Sequence, residues 1–143
     1  MTAEESWYRL IDHTGDLALL IRAPTLAELY ATAARALFDV ILDIHSVEPR
    51  EGVPVRVRGA ADREDLLVRF LSELLFLHDA RGWVFHAFRV DDLADERLEG
   101  EALGESFDPR RHAILRQVKA VTYHHLLLSQ DRDGWSARLV LDL

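Results

Sequence analysis

The tetrapeptide His13-Thr14-Gly15-Asp16 separates two apolar runs, Trp7 to Ile11 and Leu17 to Ile21. Both runs have the length and composition of β-strands, so the tetrapeptide is predicted to join them, with Gly15 allowing a tight backbone turn. His13 lies in this turn, where it could orient Asp16. The turn leaves the carboxylate of Asp16 at the edge of a strand.

The chain ends in a second acidic group, Asp142 followed by the terminal carboxylate of Leu143. Carboxylate oxygens are the ligands that hard divalent cations prefer. A cation site therefore forms if the fold brings both ends of the chain together. The alternative is that Asp16 only caps its turn and Asp142 only adds charge to a frayed end.

Composition narrows the class of protein. The chain has 143 residues, of which 49% are hydrophobic, and we expect one domain over residues 1–143. The net charge of −8 argues against a large nonspecific nucleic-acid surface. Cysteine is absent, and no apolar run reaches the roughly 18 residues of a membrane helix. The residues before Trp7 do not resemble a signal peptide, so a cytoplasmic protein without membrane contact is expected.

Hydrophobic periodicity predicts an α+β domain with two helices packed on a mixed or largely antiparallel sheet. The first helix begins at a capping box, Thr25 to Glu28, and extends to about Leu42. The second covers Asp62 to Ala80. Strands are predicted over residues 7–12, 17–22, 53–59, 83–90, 97–105, 117–128 and 135–141. An acidic connection, Asp91 to Glu96, is predicted between two of these strands and lacks the spacing of a calcium loop.

Enzymatic motifs are missing from the sequence. It contains no phosphate-binding loop, dinucleotide fingerprint or nucleophile elbow, so no catalytic residue is assigned and an enzyme is not expected. Seven histidines are present, but His124 and His125 are consecutive on a predicted strand. Their side chains should point to opposite faces and be unable to share one ion.

Lys119 is the only lysine among 17 basic residues. Strand alternation would place Lys119, Val121 and Tyr123 on one face, either exposed or with the ammonium paired to a carboxylate. Pairing of the last two strands would bring Lys119 toward Asp142. There the ammonium could steady an acidic cluster, which Asp43 could join, or it could contact phosphate charge on a partner.

Several segments together resemble the archease family over nearly the whole chain. The matching segments are His13-Thr14-Gly15-Asp16, the two helices at Thr25-Leu-Ala-Glu28 and Asp65-Leu-Leu-Val68, Phe107-Asp108-Pro109 before His112, and Val118-Lys-Ala-Val-Thr-Tyr-His124 followed by Asp142 and an apolar last residue. Gly15 replaces the usual alanine, and Leu143 replaces the commoner isoleucine. Both replacements preserve the backbone groups.

The resemblance implies an accessory protein. Archeases activate the RNA-splicing ligase of tRNA splicing by promoting its GTP-dependent guanylylation and its multiple turnover, and they would meet tRNA only indirectly. The family's divalent metal site corresponds to Asp16, Asp142 and Leu143, with Ca²⁺ expected and Mg²⁺ or Mn²⁺ as alternatives. Lys119 and Asp43 are the expected ligase-activation residues. A competing hypothesis is a general chaperone or an RNA-binding modulator without a dedicated ligase.

Overall fold

The computed structural model describes residues 6–143, so the N-terminal residues that bear on the signal-peptide expectation lie outside it. Seven strands and two helices follow one another along the chain. In order they are β1 (Trp7–His13), β2 (Asp16–Ala23), α1 (Leu26–Ile41), β3 (Glu51–Val57), α2 (Arg63–Arg81), β4 (Trp83–Leu93), β5 (Leu98–Ser106), β6 (Ala120–Asp131) and β7 (Gly134–Asp142), with a 3-10 turn at Ile44–Ser46.

The strands form two antiparallel sheets. The larger sheet has the order β1-β2-β7-β6, and the smaller has the order β3-β5-β4. The predicted α+β class with two helices is therefore confirmed, and the strands divide between two sheets. Pro54 lies on the edge strand β3, where its missing N–H leaves no ladder bond unmade.

Local chemistry explains where the helices begin and end. Thr25 caps α1, and its hydroxyl accepts a hydrogen bond from the backbone N–H of Glu28 at 3.2 Å. Asp62 caps α2 in the same way and accepts from the N–H of Asp65 at 2.8 Å. The second helix ends at Gly82, whose φ of 74° lies in the left-handed region that favours glycine.

Both helices pack on the same face of the larger sheet. Leu17, Leu19 and Ile21 of β2 are buried on this face, and Leu139 and Leu141 of β7 lie beside them. These side chains form a hydrophobic core with the apolar faces of α1 and α2. The opposite face of the sheet carries the alternate residues, and no helix of the described chain packs on it.

The strand ends of the smaller sheet differ from the predicted ones, most clearly at the end of β4. β4 continues to Leu93, so Asp91 and Asp92 belong to a strand and not to a connection. Their carboxylates pair with Arg89 and Arg97, so these arginines compensate the negative charges and no bound cation is needed. Within residues 6–143, no helix is both long enough and apolar enough to cross a lipid bilayer.

Candidate functional site

The two ends of the chain meet in the centre of the larger sheet. Asp16 begins β2, and its register partner across the antiparallel pair is Asp142 at the end of β7. Directly opposed residues project to the same face with Cβ atoms about 5 Å apart. Asp142 is exposed and Asp16 is half-buried. Neither carboxylate forms an ion pair with an arginine or lysine of the described chain.

Leu143 is attached to the same turn. Its backbone N–H donates to the carbonyl oxygen of Gly15 at 3.2 Å. This bond places Leu143 beside the tetrapeptide His13-Thr14-Gly15-Asp16. The required proximity of Asp16, Asp142 and Leu143 is therefore present in the fold.

The chemistry of these groups suits a hard cation. Two opposed carboxylates repel one another unless a positive charge lies between them. The donors offered by the two Asp side chains and by Leu143 are all oxygen, which fits Ca²⁺, Mg²⁺ or Mn²⁺ better than Zn²⁺. The side chain of His13 lies outside the described part of the structure. Among the described residues, no three His, Cys, Asp or Glu side chains cluster as metal ligands.

Lys119 lies next to this acidic pair. It immediately precedes β6, and its backbone N–H donates to the carbonyl oxygen of Asp142 at 2.8 Å. Lys119 is exposed and Val121 is buried, and both line the same shallow groove, as the predicted strand alternation requires. The ammonium has no ion pair within the described chain and lines a shallow groove beside Phe76 and Asp79 of α2.

Asp43 occupies a separate position. Its side chain accepts a hydrogen bond from the N–H of His45 at 3.0 Å and caps the 3-10 turn that follows α1. Among the described residues, Asp43, Asp16 and Asp142 do not form a metal-ligand group. The neighbouring residue Leu42 forms a bridge with Ile114, which ties this turn to the segment that leads to Lys119.

A buried polar cluster centred on Glu105 was not predicted from the sequence. The Glu105 side chain is only 6% exposed and accepts bonds from three donors. These are the guanidinium of Arg111 at 2.5 Å, the N–H of Glu48 at 2.9 Å and Nε2 of His112 at 3.0 Å. A glutamate near the end of β5, followed by Arg-His at residues 111 and 112, was the only available signal.

These donors set the ionisation of the cluster. Chiefly because of the hydrogen bond from Arg111, the pKa of Glu105 falls from 4.5 to about 2. The backbone N–H of Asp108 donates to Nδ1 of His112 at 2.9 Å. Neutral His112 therefore carries its proton on Nε2 and donates it to Glu105. The cluster attaches residues 108–112 to the end of β5 and so anchors the segment that leads to Lys119.

The two consecutive histidines do not behave as predicted. Thr122 pairs with Val140 and Leu127 with Arg138, so residues 123–126 lie opposite Leu139 alone. His125 has a φ of 54°, which a residue other than glycine rarely adopts. The bulge brings the His124 and His125 rings to a centroid separation of 4.1 Å. The prediction that they point to opposite faces is wrong, because that argument assumes a regular strand.

Comparisons with known proteins agree with this architecture. The Archease protein family matches residues 8–143. The chain is 40% identical to protein archease of Methanopyrus kandleri, over 93% of this chain and 96% of that protein. It is 41% identical to protein archease of Pyrococcus furiosus, over 92% and 95% of the two chains. The solution structure of Methanobacterium thermoautotrophicum protein 1598 superposes with a TM-score of 0.73 at 34% identity, covering 95% of this chain and 98% of that one. The chain therefore belongs to the archease family.

Proposed function

We propose that this protein activates an RNA-splicing ligase in the cytoplasm by promoting its GTP-dependent guanylylation and its repeated turnover. The observation that carries the proposal is the assembly of Asp16, Asp142, Leu143 and the backbone of Lys119 at one sheet end in a member of the archease family. These residues come from opposite ends of the chain, so their proximity is a property of the fold.

Lys119 supplies the chemistry of activation in this proposal. Its ammonium is exposed and has no carboxylate partner in the described chain, so it is free to contact another protein. Guanylylation builds negative charge on phosphate oxygens, and a fixed ammonium near them lowers the energy of that state. The strongly acidic remainder of this chain suits docking on a basic, RNA-binding ligase.

A divalent cation would be held by Asp16, Asp142 and the terminal carboxylate of Leu143. The ion would supply the positive charge that offsets the two opposed carboxylates, and these residues would then hold the strand end next to Lys119. Ca²⁺ is the proposed ion, because its flexible coordination tolerates an irregular set of oxygen ligands; Mg²⁺ and Mn²⁺ are the alternatives.

The guanylylation of purified ligase with limiting archease, measured without RNA, tests the proposal. Lys119→Ala should lose most of the stimulation while melting normally, because its side chain is exposed. Lys119→Arg should retain only part of the stimulation of guanylylation, since a planar guanidinium replaces a compact ammonium. Arg56→Ala is the matched control, because it removes an exposed cation from β3 in the other sheet. Full stimulation by Lys119→Ala would refute the assigned role.

Calorimetric titration with Ca²⁺ tests the metal site separately. Asp16→Asn and Asp142→Asn should each abolish binding, whereas Asp91→Asn, which removes an exposed carboxylate from β4, should not. The metal-free Asn variants should be at least as stable as the parent, because one of two opposed like charges is gone. Unchanged Ca²⁺ affinity in both variants would remove the site.

Asp43 is tested by two replacements. Asp43→Asn keeps an acceptor for the His45 N–H and should preserve stimulation if the residue acts only as a cap. Loss of stimulation in Asp43→Asn would assign it a charge-dependent contact with the ligase.

The alternative function, a chaperone or RNA-binding modulator without a dedicated ligase, predicts no stimulation of guanylylation by the parent protein.

A further inference from the structure

The uncovered face of the larger sheet has an unusual charge for this acidic chain. Two rows of cross-strand neighbours cross all four strands on that face. The first row is Arg9, Leu20, Arg138 and Leu127, and the second is Trp7, Arg22, Ser136 and Ser129. Three arginines therefore lie together on one face of a protein whose net charge is −8.

Two of these arginines, Arg22 and Arg138, line an apolar groove of about 310 Å³. Leu20 and Leu127 contribute to its lining, and Leu127 is 64% exposed. Arg138 lines the groove and has no ion-pair partner in the described chain. Arg22 donates to Ser136 Oγ at 2.6 Å and to Asp131 at 2.8 Å, so Asp131 neutralises one of the three charges.

Aromatic rings lie at both edges of this face. Trp7 on β1 is 42% exposed, and the guanidinium of Arg9 lies 5.6 Å from its ring centroid. On β6, His125 lines an adjoining recess with Leu127 and Arg138, and its strained backbone places its ring there beside that of His124. Four strands at about 4.8 Å spacing separate the two edges by about 14 Å.

We infer that this arginine face binds single-stranded RNA. Arg9 and Arg138 would contact phosphates, and unpaired bases would stack on Trp7 and His125, which is how sheet surfaces and open grooves hold single strands. An apolar groove alone would equally suit a protein. A basic ligase is disfavoured here by three arginines, whereas the phosphodiester backbone has the complementary charge. The choice of RNA rests on the proposed function, and the inference adds a direct contact where the family resemblance implies only an indirect one.

Fluorescence anisotropy with a labelled, unstructured RNA oligonucleotide and the intact protein, without ligase, tests this inference at about 50 mM salt. Saturable binding is expected, with a log–log salt slope of about −1.4 for two phosphate contacts. Arg138→Gln should reduce the magnitude of that slope by about 0.7. Trp7→Ala should weaken binding by about fivefold or more.

His125→Gly separates binding from folding. Glycine adopts a φ of 54° without strain, so this variant should melt no lower than the parent while losing a stacking ring and RNA affinity. Arg56→Gln, on the other sheet, is the control with the same change in net charge. All these variants should retain RNA-free stimulation of guanylylation, so failure of this inference is distinguishable from failure of the proposed function.

Four results would overturn the inference. The first is no saturable binding by the parent protein at the highest soluble concentration. The second is equal weakening by Arg138→Gln and Arg56→Gln, which would indicate a nonspecific charge effect. The third is equal affinity for a duplex of the same sequence, whose bases are not free to stack. Loss of ligase association in Trp7→Ala with RNA binding intact would instead assign the face to a protein and also reject the RNA proposal.

Discussion

Replacement of Glu105 by Gln is the sharpest test of the cluster that anchors the segment before Lys119. The carboxylate is almost fully buried and accepts hydrogen bonds from Arg111, His112 and the N–H of Glu48. Its pKa falls from 4.5 to about 2, which corresponds to about 3 kcal/mol of preference for the charged form in the folded chain. Glu105→Gln keeps the shape and removes the charge.

The expected loss in the free energy of unfolding at pH 7 is therefore about 2–3 kcal/mol, or a fall in Tm of roughly 6–12 °C. Because the folded pKa is the lower one, this stabilisation is complete above pH 4.5 and disappears as the pH falls through about 2. The difference in the free energy of unfolding between parent and variant should therefore decrease between pH 4.5 and about pH 2. Urea denaturation at a series of pH values measures this difference.

Glu101→Gln is the matched control for this experiment. Glu101 lies on the same strand and pairs with Arg89, but its side chain is 30% exposed. An exposed ion pair contributes about 0–1 kcal/mol, so this variant should remain close to the parent at every pH. Equal losses in the two variants, or a Glu105→Gln loss that is the same at pH 7 and pH 2, would refute the reasoning.

Three further predictions concern the terminus, the activity and the smaller sheet. Residues added after Leu143 should weaken Ca²⁺ binding by about tenfold or more in calorimetry, because the terminal carboxylate is displaced; unchanged affinity would leave only the Asp side chains as ligands. The purified protein without ligase should neither hydrolyse GTP nor join RNA ends, and turnover that follows the protein through successive columns would contradict an accessory role. Gly104→Ala should destabilise the fold by about 1–3 kcal/mol in urea denaturation, because a Cβ there would overlap the carbonyl oxygen of Val84 on β4; an unchanged midpoint would mean that the two strands separate at little cost.

Local patterns in the sequence determined most of the secondary structure. Thr25 and Asp62 cap helices with side chains that reach only three residues along the chain, and Gly82 ends a helix through its own φ. Such interactions depend only on residues close together in the chain, so they can be predicted from the sequence. The observed strand ends differ from the predicted ones by a few residues. β4 includes Asp91 and Asp92, whose charges are neutralised by arginines of the same hairpin.

The division into two sheets, the Glu105 cluster and the bulge at His125 were decided by tertiary structure. Glu105 is stabilised by a backbone N–H 57 residues away, and no periodicity encodes that pairing. The His124 and His125 rings meet only because four residues of β6 face one residue of β7. Asp16 and Asp142 were identifiable as acids from the sequence, but their direct opposition depends on the β2–β7 register. Long-range register follows from how both strands bury their apolar faces against α1 and α2, and that packing is a property of the whole core.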